Sequence, residues 1–254
     1  MLELTNYALI TVFIASLAAL LIASEIGHHF GSRAGGEANI STLEAAMLGL
    51  LALMIGFTFA MALTRFDERR AALLDEANSI GTAALRARLL PAPHGADSLK
   101  LLRDYVQIRL ELTSHVPTAA EMHAAIVRSN EIQEALWSDV KLVMAKDNAV
   151  APTALYIQAL NEMFDNQEKR LTALRNRVPN TVILVLYGIS VVVVGFSGYS
   201  SGAAERRWRL PVYIMGLLIA AVVLLIQDLD RPDAGIISVS QQPMVDTANA
   251  LATY

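Results

Sequence analysis

Leu43–Arg70, LEAAMLGLLALMIGFTFAMALTRFDERR, decides the fold. From Leu43 to Thr64 the only charge is Glu44, at the very start. At about 1.5 Å per residue, that run is long enough to cross a hydrocarbon core of roughly 30 Å as a helix. Charge then returns abruptly with Arg65, Asp67, Glu68, Arg69 and Arg70, yet no Gly or Pro interrupts the helical pattern before Gly81. The stretch reads as one long helix that leaves a membrane and continues into a water-exposed module.

The same helix has two unlike faces. Ala45, Gly49, Ala52, Gly56 and Ala60 recur three or four apart and stack on one side. Met47, Met54, Thr58, Met61 and Arg65 fall on roughly the opposite side. Small residues let helices approach closely in lipid, where packing rather than water exclusion drives association. Two readings stay open: the packing face of a bundle helix, or one helix of a ring around a pore. Arg65, one turn past Met61, is either a snorkelling anchor or one of a ring of arginines that raises the local anion concentration at a pore mouth. Glu44 is its counterpart at the other mouth, with opposite sign.

Composition agrees with a membrane setting. Of 254 residues, 54% are hydrophobic and only 17% charged, against about 25% charged in soluble domains. Net charge is −4, which argues against a nucleic-acid binder. The absence of cysteine excludes disulfides, thiolate metal sites and Cys nucleophiles.

Outward from this helix, Leu4 to Ser24 is apolar and uncharged, and no basic residue precedes Arg33, so it reads as a retained first span rather than a signal peptide. Gly27 to Ile40 (GHHFGSRAGGEANI) reads as a glycine-rich loop, with Ser41 and Glu44 as a capping box for the second span. Residues 65–180 read as helices cut at Pro91/Pro93, Pro117, Pro152 and Pro179. Apolar residues keep helical spacing and strand signals are absent. Residues 181–198 and 210–226 are two further spans, and Gly198–Gly202 reads as the edge of the first of these. The tail 228–254 is too short for a domain and is expected to pack on the helical module. The expected architecture is an all-α membrane protein: spans at 4–24 and 43–64 within 1–64, the module at 65–180, spans within 181–227, and a tail.

Arg65, Arg69, Arg70, Lys169, Arg170, Arg175, Arg177 and Arg231 lie on the side shared by the termini and the module; Arg33, Arg206, Arg207 and Arg209 lie on the other. The imbalance places the module and termini in the cytoplasm.

No catalytic motif is present: no HExxH, GxSxG, P-loop or GxGxxG. The expectation is no enzyme and no cofactor. Adjacent His28 and His29 read as a solvated pair in preference to metal ligands. Asp67/Glu68 and Asp75/Glu76 read as solvated carboxylates on an exposed helix. Asp228, Asp230 and Asp233 form a weak Ca²⁺ pattern that contains Arg231, so pairing with arginines of the module competes with calcium.

Two phrases carry a family resemblance: GFTFAMALTRFDERRAALLDEANSIGTAALRARLLP (Gly56–Pro91) and LDRPDAGIISVSQQP (Leu229–Pro243). With them, nearly the whole chain resembles the bacterial bestrophin-like membrane proteins, which are remotely similar to bestrophin ion channels. The resemblance implies a homopentamer whose second span lines an ion pore, mostly anion-selective, with chloride the expected ion and a bacterial inner membrane the expected location. It puts the apolar neck within Met54–Met61, at Met54, Phe57, Thr58 and Met61, where bestrophins carry isoleucine and phenylalanine. It also implies an acidic calcium clasp after the last span, for which only Asp228, Asp230 and Asp233 stand in place. The other reading is a non-conducting membrane scaffold or sensor whose module binds a cytoplasmic partner.

Overall fold

The computed structural model describes residues 8–34, 40–112, 118–146, 150–204, 209–232 and 235–254. Among them are eight α-helices and no strand: α1 (Leu9–Ala34), α2 (Ser41–Ala87), α3 (His94–Glu111), α4 (Ala119–Lys146), α5 (Val150–Arg175), α6 (Asn180–Ala203), α7 (Leu210–Asp230) and α8 (Gln242–Ala252). The chain divides into two compact units, Met1–Phe66 with Arg177–Ser238, and Asp67–Asn176 with Val239–Tyr254. The 47-residue α2 contributes to both.

The first unit holds four helical segments long and apolar enough to cross a membrane, on α1, α2, α6 and α7. Two helices run further than their apolar stretches suggest. α1 continues through Gly27–Ala34, where a glycine-rich loop is expected, and α6 continues to Ala203. Glycine breaks helices in water because it leaves backbone exposed and unfastened. Here it brings two backbones together. A Cβ at Gly27 would lie 1.9 Å from the Gly195 carbonyl oxygen, and one at Gly31 would lie 2.1 Å from that of Tyr199. In return, a Cβ at Gly198 would meet the Ser24 carbonyl oxygen at 2.2 Å, and one at Gly202 that of His28 at 2.3 Å. Gly198 and Gly202 therefore mark a packing seam between α1 and α6 rather than the end of a span. α2 joins this unit through longer side chains. Leu51 and Ala62 are buried, with Met47, Leu48, Met54, Ile55 and Met61 half-buried, in one cluster with Leu20, Leu186, Val193, Val194, Val223 and Ile226.

The second unit is a water-type helical core. Leu73, Ala77, Ile80, Ala84 and Ala87 on α2, spaced four and three, are all buried, and one stripe of that period faces a core. They meet Leu102, Tyr105 and Val106 on α3, Leu136, Val140 and Val143 on α4, and Tyr156, Leu160 and Met163 on α5. The tail adds α8, which buries Met244 and Leu251 in the same core. Pro152 does not cut α5 but sits in its first turn, where its missing N–H costs nothing. α4 starts on a reciprocal cap: Glu121 N–H donates to Thr118 Oγ1 at 3.2 Å, and Thr118 N–H donates to Glu121 Oε2 at 2.7 Å.

Candidate functional site

The rotation of α2 about its own axis decides what its side chains can do. At about 100° per residue, Leu48, Leu51, Ile55, Thr58 and Ala62 share the arc turned into the protomer's own core, with Met47, Met54 and Met61 at its border. Thr58 is only 1% exposed, and its hydroxyl donates back to the Met54 carbonyl at 2.7 Å. A side chain sealed inside its own chain cannot line a pore. The expected Met54–Thr58–Met61 pore face is corrected at Thr58, which α2 turns inward, while Met54 and Met61 stand half-buried at the border between the two arcs. Of the four expected neck residues, Phe57 is the one that stands outward, 64% exposed.

The small-residue stripe has the opposite fate. Ala45, Gly49, Ala52, Gly56 and Ala60 are all exposed, and a Cβ built on Gly49 or Gly56 meets nothing within 4 Å. Leu50, Leu53, Phe57, Leu63 and Thr64 are exposed alongside them. The stripe is therefore open within this chain, and close packing inside the unit belongs to α1 and α6. Arg65 and Glu44, the expected mouth residues, are both half-buried.

The acidic stretch after α7 works on the backbone. Asp228 accepts the Ile236 N–H on Oδ1 at 2.7 Å and the Ile237 N–H on Oδ2 at 2.9 Å. Asp230 accepts the Val178 N–H at 2.8 Å. Asp228 thus folds the chain after α7 back on itself, and Asp230 ties it to the entry of α6. Asp233 lies outside the described residues. Charge-assisted bonds of this kind satisfy carboxylate lone pairs that a calcium ion would need. Among the described residues, no three or more His, Asp or Glu side chains converge on a metal-sized site, and His28 and His29 are consecutive on α1.

A polar cluster unmarked in the sequence lies in the second unit. Glu76, expected to be solvated, is 0% exposed. It accepts from Arg109 Nε at 2.8 Å, from Arg170 Nη1 at 2.7 Å and from the Tyr105 hydroxyl at 2.8 Å. Burial works against the Glu76 charge, but the two guanidinium groups outweigh it and hold the carboxyl below its ordinary value. Burial and the Glu76 charge together push the Tyr105 hydroxyl well above the ordinary tyrosine range. Gln167 lies within hydrogen-bond reach of Tyr105 and is in turn bonded to Gln133 and Asn130. One carboxylate thereby fastens α2, α3 and α5. The usable signal was position: Glu76 falls on the same stripe as Leu73, Ala77 and Ile80. Its neighbour Asp75, by contrast, is partly exposed and pairs with Lys169.

The family profile described as the Bestrophin-like domain matches residues 9–244. A bacterial bestrophin homologue from Klebsiella pneumoniae, 16% identical, matches over 95% of this chain and 95% of its own, with a TM-score of 0.67. Two single-residue variants of that homologue match at 16% identity over 96% of both chains, with TM-scores of 0.66 and 0.68. No curated protein matches the chain. At such identity the structural likeness carries the fold, and the profile, spanning nearly every element described above, carries the family: the chain belongs to the bestrophin-like family of membrane proteins.

Proposed function

We propose that the chain is one subunit of an oligomeric ion channel, a homopentamer that passes anions by preference and lines its pore with α2. Bestrophin homologues are ion channels, and the observation that carries the reading further is the bare arc of α2. A membrane helix with Gly49, Ala52, Gly56, Phe57 and Ala60 all exposed has a face suited to copies of itself. A five-fold ring is a closed heterologous interface, in which one edge of each arc meets the other edge of the next. The small residues let neighbouring α2 helices approach, while Leu53 and Phe57 supply an apolar constriction that gates by dewetting. Arg65, at the border of the two arcs beyond the constriction, raises anion concentration at the cytoplasmic mouth, whereas Glu44 shares the inward arc of Leu48, Leu51 and Ile55. The distribution of basic residues supports a bacterial inner-membrane protein with both termini and the second unit in the cytoplasm. No step is assigned to calcium, because Asp228 and Asp230 bind backbone N–H groups.

The absence of native cysteine makes the test clean. Single Phe57→Cys and Thr58→Cys variants are reconstituted in liposomes and treated with a small charged thiol reagent. Block of flux at Phe57→Cys with none at Thr58→Cys is expected, together with a native mass near five times 27.5 kDa. Block at position 58 alone, or a monomeric protein without flux, overturns the reading and favours the scaffold.

A further inference from the structure

We propose that the groove between α1 and α7 is a binding site for one phospholipid with a zwitterionic, amine-bearing headgroup of the phosphatidylethanolamine type. The groove has a volume of about 590 Å³, within the ~300–1,000 Å³ of pockets that take one small organic ligand. Leu17, Leu21 and Ile22 on α1 and Ile214 and Leu217 on α7 wall it. Polarity appears at one end only. There Arg209 Nη1 donates to Glu25 Oε2 at 2.6 Å, and the Tyr213 hydroxyl donates to Glu25 Oε1.

Length and depth fit one leaflet. From Leu17 to Glu25 the groove follows α1 for about 12 Å at 1.5 Å per residue, close to the roughly 15 Å that half a hydrocarbon core provides. Leu217 lies near the middle of α7, whereas Arg209 immediately precedes that helix, at the α6–α7 connection, and Glu25 lies two turns along α1 from Leu17 towards the α1–α2 connection. The groove thus runs from the bilayer centre to one surface, apolar throughout and charged at the surface, as a lipid is.

Charge chooses the headgroup. The Glu25 and Arg209 side chains are each a little under half exposed, so both signs are presented at the mouth. A guanidinium has five N–H donors and a carboxylate about four lone-pair sites, so the pair keeps capacity for further partners. Arg209 takes the lipid phosphate and Glu25 takes a primary ammonium, which donates hydrogen bonds. A choline headgroup has no N–H to give, and an anionic headgroup without an amine offers the Glu25 carboxylate no cation and adds a second negative charge beside it.

The experiment uses full-length protein in nanodiscs containing a trace of phosphatidylethanolamine with a photoreactive diazirine on its acyl chain. Labelled peptides are mapped by mass spectrometry, with unlabelled phosphatidylethanolamine, phosphatidylcholine or phosphatidylglycerol as competitor. Labels concentrated on α1 and α7 groove residues are expected, at least fivefold above the outward residues of α6. They are displaced best by phosphatidylethanolamine and lost in Leu217→Trp, which fills the groove. Arg209→Gln leaves the groove intact, guards against a misfolded tryptophan variant, and is expected to erase the headgroup preference while acyl labelling persists. Even labelling of all spans, indifference to both substitutions, or disulfide capture of Ile22→Cys by Leu217→Cys of a second copy would each overturn the proposal, the last by giving the groove to a neighbouring subunit.

Discussion

Replacing Glu76 with Gln keeps the shape of the side chain but removes the carboxylate that faces both Arg109 and Arg170. Glu76 is fully buried, Arg109 is 3% exposed, and the Arg170 side chain is 11% exposed. Two like charges then stay in a low-dielectric interior with only neutral acceptors nearby. Removing one partner of a buried ion pair costs roughly 3–5 kcal/mol, because the penalty of the orphaned charge is added to the lost attraction. At about 2–4 °C per kcal/mol for a chain of this size, the midpoint should fall by roughly 6–20 °C. The assay is thermal unfolding of detergent-solubilised protein, with amide exchange read separately on α3 and α5. Those two helices should lose protection first, since Arg109 and Arg170 sit on them. An Arg109→Met, Arg170→Met, Glu76→Leu triple variant should recover much of the loss, since apolar replacement of a whole buried network is often neutral. A shift below about 2 °C for Glu76→Gln would refute the reasoning, and so would a triple variant less stable than Glu76→Gln.

Two further perturbations follow. Acid should loosen the second unit before the first: unfolded, Glu76 titrates near its ordinary 4.5, and folded, below it. Its stabilisation is therefore complete above that value and is lost as pH falls from about 4.5 through the lower folded value. Exchange protection on α3 and α5, measured between neutral pH and pH 3, checks this, and protection unchanged to pH 3 would contradict it. Gly198→Ala should cost about 1–3 kcal/mol by overpacking the α1–α6 seam, whereas Gly188→Ala on the same helix, where a Cβ meets nothing within 4 Å, should be neutral or slightly stabilising. Thermal midpoints of the two variants side by side decide it, and equal midpoints would remove the seam from the account.

The spans and the helical module were legible because each rests on a contrast the sequence displays: long uncharged runs in one case, a period of three and four bounded by prolines in the other. The rotation of α2 was not legible, for a physical reason. In a membrane both arcs of a helix are apolar, so Met54 and Thr58 on one side and Gly56 and Phe57 on the other offer no polarity difference to say which is buried. Side-chain length does not separate them either: Leu53 and Phe57 stand outward with Gly49 and Gly56, while the small Thr58 and Ala62 are buried. Glycines misled for a related reason. Gly27 and Gly31 read as loop residues by the rules of water, whereas in lipid they permit backbone contact with α6. The charge of Glu76 points to solvent, but its place beside Leu73 and Ala77 on one stripe points inward, and position prevails because Arg109 and Arg170 neutralise it there.

The central claim is that the outward arc of α2, with Phe57 at its narrowest point, forms an ion pore. The most direct measurement is flux through purified protein in liposomes, with chloride and sodium gradients run separately for wild type, Phe57→Ala and Thr58→Val. The account predicts chloride flux exceeding sodium flux, a change of at least severalfold in Phe57→Ala, and wild-type behaviour in Thr58→Val. No flux in any of the three from a well-folded oligomer, or flux that responds to Thr58 and ignores Phe57, would contradict it.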